Sequence, residues 1–325
     1  MRAVVAQLPG AAVLVDGTGD LPFRYHAVQR RNFPLPHVAS YITPLTPSPL
    51  PAAEAVPSVD EAVTYLDRLA KPLVMRRVPV AHAVTQSLVK AASQVKVLNQ
   101  WERAALDVTG SFDAWLLENF DHKRRKELKR LKARLAEQGV LTLDTLGANG
   151  ALAAHIDAFL ALEASGWKGR RGSAINLDPK LSKALRHGLA AMHALGKVRF
   201  WTFRLDGRPI ATLFALVDGG QATLGKIAYD EAYARYSPGV LLIIAATESL
   251  FSDPVICHAD GNAIPGHPMI DRIWRDRVLC MDVVIASGAC NPLKFKLISQ
   301  GYGTADALRG KVKQLYLTVT GRRPS

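Results

Sequence analysis

Two residues able to move a proton stand close together in Pro254-Val255-Ile256-Cys257-His258-Ala259-Asp260, a largely apolar run that predicts a strand. Alternate side chains of a strand share a face. His258 and Asp260 would then point the same way at its C-terminal end, where α/β sheets place their chemistry. An imidazole and a carboxylate so placed form an acid and base pair. The same residues also suit a bonded edge histidine followed by the turn Asp260-Gly261-Asn262. A second candidate is the run Tyr236-Ser237-Pro238-Gly239-Val240-Leu241, which predicts a helix starting with Ser237 as N-cap and Pro238 in the first position. The residue three beyond the cap is Val240, so no capping box forms, and Gly239 lets another molecule approach the backbone. Unbonded amides at such an end bind anions, although an ordinary capped helix reads identically. A third is the loop after Leu162-Glu163, where Gly166, Gly169 and Gly172 are interleaved with Trp167, Lys168, Arg170 and Arg171. It could hold an anion, stack a planar group, or be a glycine-capped helix end with a packed Trp.

The elements that must position these residues are legible in the pattern. Residues 198–205, 210–217 and 222–229 predict three strands joined through Asp206-Gly207 and Asp218-Gly219-Gly220, an antiparallel meander. Helices are predicted over 151–164 and 181–195. Further upstream, Ser58-x-x-Glu61 is a capping box opening a helix towards Ala70, followed by a strand over 73–80 and a helix over 81–93. Pro44, Pro47, Pro49, Pro51 and Pro57 mark a connector over 42–57. The alternation implies α/β organisation. Residues 121–139 carry Lys123, Arg124, Arg125, Lys126, Lys129, Arg130, Lys132 and Arg134 on one predicted helix, with Gly139 as its C-cap. Leu128, Leu131 and Leu135 give it a narrow docking stripe, and the rest is basic surface, either a solvated face or a site for phosphate groups.

The chain has 325 residues, with 41 Lys plus Arg against 28 Asp plus Glu, a formal charge of +13. An anionic partner follows, whether nucleic acid, anionic lipid, an acidic glycan or a phosphorylated cofactor. At 49% hydrophobic and 21% charged residues, wholesale disorder is excluded. The longest apolar run, 240–246, falls far short of the ~20 residues of a membrane span, so no integral membrane segment is expected. Gln7 and Pro9 interrupt the start, so no signal peptide is expected. Cys257, Cys280 and Cys290 show neither disulfide nor zinc spacing, which fits a reducing cytoplasm and no metal site.

Three ordered motifs carry a family resemblance: Leu162-Glu163-x-x-Gly166-Trp167-Lys168-Gly169, then Lys226-x-x-Tyr229-Asp230-Glu231-x-Tyr233-Ala234-x-x-Ser237-Pro238-Gly239-x-Leu241-Leu242, then His267-Pro268-Met269-Ile270-Asp271-x-x-Trp274. They resemble the bacterial GNAT-superfamily acyltransferase family that includes cellulose-biosynthesis-associated members and is related to Fem-type peptidoglycan transferases. The resemblance covers residues 111–277. It implies an α/β (α+β) fold, a GNAT-like mixed sheet flanked by helices, splayed so that an acyl thioester lies between two strands. It also suggests that 1–105 is a second, degenerate GNAT-like half, with the acyltransferase domain over 106–290 and a basic segment over 291–325.

Coenzyme A pyrophosphate in that superfamily sits on the turn matched here by Tyr236, Ser237, Gly239, Val240 and Leu241. The usual Gln/Arg-x-x-Gly-x-Gly/Ala phosphate loop is absent from this position. The implied activity is direct N-acyl transfer from acyl-CoA, acetyl or longer, to a small-molecule or glycan amine. Asp260 or His258 would act as base and Tyr229 or Tyr236 as acid. Trp167, Lys168, Arg170, Lys226 and Asp230 would shape the acceptor or phosphate site. Fem-type relatives take an aminoacyl group from tRNA, which is the alternative donor. A non-catalytic member binding an anionic polymer or membrane in polysaccharide assembly is the third reading.

Overall fold

The computed structural model describes residues 14–15, 27–30, 37–40, 56–146, 151–264 and 266–320. In chain order these form β1 (Leu14–Val15), β2 (Ala27–Arg30), β3 (His37–Ser40), α1 (Val59–Leu69), β4 (Leu73–Pro79), α2 (Ala83–Ala91) and β5 (Gln94–Asp107). Next come α3 (Phe112–Asn119), α4 (His122–Ala136), β6 (Leu141–Thr145), α5 (Leu152–Ser165), α6 (Pro179–His193), β7 (Val198–Leu205), β8 (Arg208–Asp218) and β9 (Gln221–Tyr229). The chain ends with α7 (Pro238–Phe251), β10 (His258–Asp260), β11 (Asp276–Ala286) and α8 (Pro292–Thr320). The proline-rich connector lies outside the described residues except for Val56 and Pro57.

Two compact units result, and each is discontinuous in sequence. One comprises Ala104–Ile264 and Pro268–Arg277; the other takes the described residues before Ala104 together with Gly266, His267 and those from Val278 onwards. In the second unit β1, β2, β3, β4 and β11 lie in that order. Ser58 and Glu61 close the expected capping box on α1, whose Ala62, Tyr65 and Leu66 join Leu73, Met75, Leu88, Val283 and Ile285 in a core.

The first unit holds the sheet order β5-β10-β9-β8-β7-β6, a mixed sheet with helices on it, the GNAT-like α/β architecture expected. Its meander turns where foreseen: Asp206 and Gly207, then Gly219 and Gly220, all have positive φ, the signature of tight two-residue hairpins. Helix α5 packs on β8 and β9, and α7 on β8 and β7. The core between α7 and the sheet gathers Trp201, Phe203, Leu213, Leu224, Leu242, Ile243, Leu250 and Trp274.

Several local expectations are corrected. The strand expected over 254–260 is only His258–Asp260, because Pro254 and an Asp253 carboxylate bonded to the Val255 amide hold the preceding residues in a turn. Helix α4 is capped by Glu137 in helical conformation, not by Gly139. Gly139, at φ 154, instead meets the Asp206 carboxylate, which also accepts the Val140 amide. The glycine-rich loop is a helical turn, Trp167–Arg170, closed by bonds to the Gly166 carbonyl. Ser237 stands at the N-cap of α7, but at φ 52 its side chain makes no capping bond.

Candidate active site

Strands β9 and β10 run parallel but pair only over three residues, His258, Ala259 and Asp260 against Gln221, Ala222 and Thr223. Beyond Thr223, β9 continues to Tyr229 bonded to β8 on its other edge, while the chain after Asp260 turns away. The two strands therefore part, leaving a wedge that opens towards the C-terminal end of β9. Local sequence enforces it from both sides. A Cβ on Gly261 would stand 2.9 Å from the Ala104 carbonyl oxygen and 3.1 Å from Ile270 Cγ1, so only glycine fits that turn. Asn262 follows at φ 50, the left-handed region that Asn tolerates better than most residues. On β9, Gly225 lies against the Phe214 ring, beside the register shift between Leu213 and Ala215 on β8. Such a bulge bends and twists a strand pair.

Asp260 lies at the vertex of the wedge. It is 3% exposed, and its Oδ1 accepts the Asn262 amide at 2.7 Å. His258 lies at the closed end of the paired segment, with its side chain 67% exposed and Nδ1 4.0 Å from Asp107 Oδ1. Hydrogen bonds from Thr109 hold the Asp107 carboxyl below the usual range, with the His258 charge a lesser contribution. His258 and Asp260 thus have separate surroundings on one short strand.

The N-terminus of α7 lies beside Tyr229, at the end of β9. The bond from the Leu241 amide to the Ser237 carbonyl, 3.1 Å, begins the helical ladder. Pro238 has no N–H, and the Gly239 and Val240 amides make no bond among the described residues. A Cβ at Gly239 would lie 3.2 Å from Tyr229 Cδ1 and 3.1 Å from Met269 Cε. Tyr229 therefore reaches from the end of β9 to the helix start, whereas Tyr236 is buried in the core with Arg235 over its ring at 4.8 Å. Leu241 is buried and Ser237 and Val240 are half-buried.

Side chains from two of the sequence motifs tie each other down. Glu163, its carboxylate 1% exposed, lies 3.5 Å from Lys226 Nζ and accepts the Ile175 amide at 2.9 Å. In return Glu231 accepts the Trp167 amide at 2.8 Å and the Arg170 guanidinium at 2.6 Å. The Arg170 bond, then the Trp167 amide, hold the Glu231 carboxyl below its ordinary range. Asp230 caps the following turn by accepting the Ala232 amide at 3.0 Å and meets Arg208 at 3.2 Å. Trp167 itself is half exposed, with Arg171 over its ring at 5.2 Å. The third motif forms a wall: Trp274 is fully buried and donates to Thr247 on α7 at 3.0 Å, while Met269 abuts Gly239 and Ile270 abuts Gly261.

Glu163 and Glu231 were visible in the motifs but carried no assigned role in the sequence reading. Each stands opposite a cation of the other motif, which is the signal that could have found them. The pattern Gln300-x-x-Gly303-x-Ala305 does match the usual phosphate loop, yet it lies inside α8 and presents no loop.

Residues 122–257 match the family model of the GNAT acetyltransferase domain. The chain therefore carries a GNAT-type acyltransferase domain, and its first unit is that of an acyltransferase. Three solved structures share the fold. The C-terminal domain of a protein described as a lysylphosphatidylglycerol synthetase from Agrobacterium fabrum is 13% identical over 82% of each chain, with a TM-score of 0.54. FemX is 10% identical over 88% of this chain and 89% of its own, with a TM-score of 0.52. A protein of unknown function from Bacteroides thetaiotaomicron is 9% identical over 82% and 86%, with a TM-score of 0.50. No curated protein matches in sequence.

Proposed function

We propose that this protein is an N-acyltransferase that moves an acyl group from acyl-CoA directly to an amine of a small molecule or glycan. The observation that carries the reading is the wedge between β9 and β10 opening beside the unbonded Gly239 and Val240 amides. Both features suit a ligand with an anionic group at one end and a linear arm at the other. When bound, the thioester supplies an activated carbonyl and a thiolate leaving group. The chain supplies the rest. The amides at the start of α7 hold phosphate, and the side chain missing at Gly239 lets Tyr229 and Met269 pack against the helix start. Asp260, at the wedge vertex, takes the proton of the attacking amine, and the Tyr229 hydroxyl returns one to the leaving atom. Backbone amides of the unpaired edge of β9 face the developing oxyanion. Lys226, Trp167, Lys168, Arg170 and Asp230 shape the acceptor side. The free thiols of Cys257, Cys280 and Cys290 support a reducing, cytoplasmic setting. No helix among the described residues is long and apolar enough to cross a membrane.

Calorimetric titration with acetyl-CoA and longer acyl-CoAs tests the reading. Saturable binding by the wild type, lost in Gly239→Glu, is expected; absence of binding to every acyl-CoA by folded protein overturns it.

One observation favours a second reading, transfer of an aminoacyl group from tRNA. Lys123, Lys126, Lys129, Arg130, Lys132 and Arg134 of α4 are exposed and make no ion pair among the described residues. Helix α4 packs against Glu231–Tyr236 and α7, beside the candidate site. Under this reading activity falls steeply and log-linearly with salt, as multiple phosphate contacts require.

A further inference from the structure

Helix α4 carries eight Lys and Arg side chains against one acid, Glu127. Like charges one turn apart weaken a helix, so folding alone does not call for them. Two of the eight serve the fold: Arg124 Nη1 meets Glu127 at 2.8 Å, and Arg125 Nη1 donates to the Phe120 and Leu117 carbonyls at 2.9 and 3.3 Å. The other six are exposed. Leu128, Leu131 and Leu135 dock the helix, and Lys123, Lys126 and Arg130 repeat the same i, i+3, i+7 spacing on its opposite side.

Charge alone suits any polyanion, and the apolar surface beside it separates them. Leu117, whose carbonyl Arg125 holds, is 63% exposed at the end of α3 that leads into α4. Val140, just past the other end of α4, is 69% exposed, with its backbone amide fixed to Asp206 Oδ1 at 2.8 Å. An aliphatic side chain therefore stands in water at each end of the basic helix. No aromatic side chain over 112–140 is exposed to stack on a base, since Trp115 and Phe120 are buried and Phe112 is half-buried. RNA phosphates gain nothing from Leu117 and Val140, whereas a lipid interface rewards cations and inserted aliphatics together.

We propose that α4, with Leu117 and Val140 at its two ends, docks the acyltransferase unit on an anionic lipid surface. The cations lie against the head groups and the two aliphatic side chains enter the interface. Helix α4 packs against Glu231–Tyr236 and α7, so docking sets the candidate site beside the lipid. The inference does not depend on which donor the site takes.

Sedimentation of the full chain with vesicles tests it, phosphatidylserine and phosphatidylcholine in equal parts against phosphatidylcholine alone. Wild type is expected to bind the mixed vesicles and not the neutral ones. Replacing Lys123, Lys126 and Arg130 together by Gln weakens that binding about a hundredfold, at about fivefold per cation near such a surface. Leu117→Ser combined with Val140→Ser weakens it about tenfold or more while leaving the binding of unfractionated tRNA unchanged. All five positions are exposed, and an unchanged urea midpoint shows that both variants fold. Folded wild type that ignores the mixed vesicles, or binds the neutral ones equally, overturns the inference. So does an aliphatic variant that binds mixed vesicles as tightly as wild type, which would assign the face to a polyanion such as tRNA. No acyl donor is present in the assay, so these outcomes leave the acyl-CoA reading to its own titration.

Discussion

Glu231 accepts the backbone amide of Trp167 through Oε1 at 2.8 Å and the guanidinium of Arg170 through Oε2 at 2.6 Å. One carboxylate from the turn after β9 thus fixes both ends of the Trp167–Arg170 helical turn. Glycines make this possible, since a Cβ at Gly166 would stand 3.3 Å from Glu231 Oε1 and one at Gly169 would meet the Ala164 carbonyl.

Replacing Glu231 by Gln keeps its size and removes the charge both partners use. The pair is partly exposed, so global stability changes by no more than ~1 kcal/mol. Order of the turn depends on it far more. Trypsin is expected to cleave after Arg170 or Arg171 several-fold faster in Glu231→Gln than in wild type under native conditions. Equal cleavage rates would show that the turn is held by its neighbours instead.

The reciprocal tie behaves differently because it is buried. Glu163 is nearly inaccessible, and Lys226 is its cationic neighbour at 3.5 Å. Removing the ammonium leaves a carboxylate with an amide bond but less compensating charge. Lys226→Met is expected to cost roughly 2–4 kcal/mol, below the ~3–5 kcal/mol of breaking a fully buried pair because the Lys226 side chain is a quarter exposed. The double variant Lys226→Met with Glu163→Gln recovers most of the loss, since neither charge then remains. Urea denaturation of the four proteins measures it, and a purely additive pair of single losses would remove the interaction.

Much of this fold was legible because its period and turn signals agree locally. The meander at 198–229 announced itself by β-branched and aromatic alternation punctuated by Asp-Gly and Gly-Gly, and α7 by Ser-Pro-Gly before an apolar run. Strand β5 was not foreseen. Its Lys96, Asn99, Gln100, Glu102 and Arg103 break the apolar alternation, and only its last residues, Ala105 to Asp107, pair with β10. Strand β10 was overextended for the opposite reason: Val255 and Ile256 look like strand, but Pro254 and the Asp253 cap take them into a turn. At the site, residue types were readable and partners were not. Nothing in the local pattern around Asn262 says that its side chain reaches Leu224, 38 residues away.

His155 gives the protein an acid-labile point away from the wedge. It is buried, with Nδ1 3.1 Å from Thr202 Oγ1 and Nε2 3.8 Å from Asp144. Burial lowers its pKa below 6.5, only partly offset by the Asp144 charge, and Arg204 lowers it further. A histidine depressed in the folded state binds protons more readily when unfolded. Its penalty is absent above pH 6.5 and grows as the pH falls below that value, by up to about 1.4 kcal/mol per unit until the folded value is passed. His82 is shifted the same way by burial. Denaturation midpoints should therefore fall between pH 7.5 and 5.5. His155→Gln is expected to flatten that slope without abolishing it, and an unchanged slope would acquit His155.

Asp260 offers the sharpest test of the chemistry. Its carboxylate accepts the Asn262 amide at 2.7 Å, a bond that the carbonyl oxygen of an asparagine can also accept. Asp260→Asn therefore keeps the turn that parts β9 from β10 while removing the only charge Asp260 carries. If Asp260 is the base, the variant binds acetyl-CoA as the wild type does, and thiol release in the presence of an amine acceptor falls to about one per cent, the usual scale of a lost general base. Raising the pH would restore part of that rate, because the amine then arrives already deprotonated. Unchanged turnover in the folded variant would remove Asp260 from the reaction. The next variant would then be His258→Gln, despite the place of His258 at the closed end of the wedge.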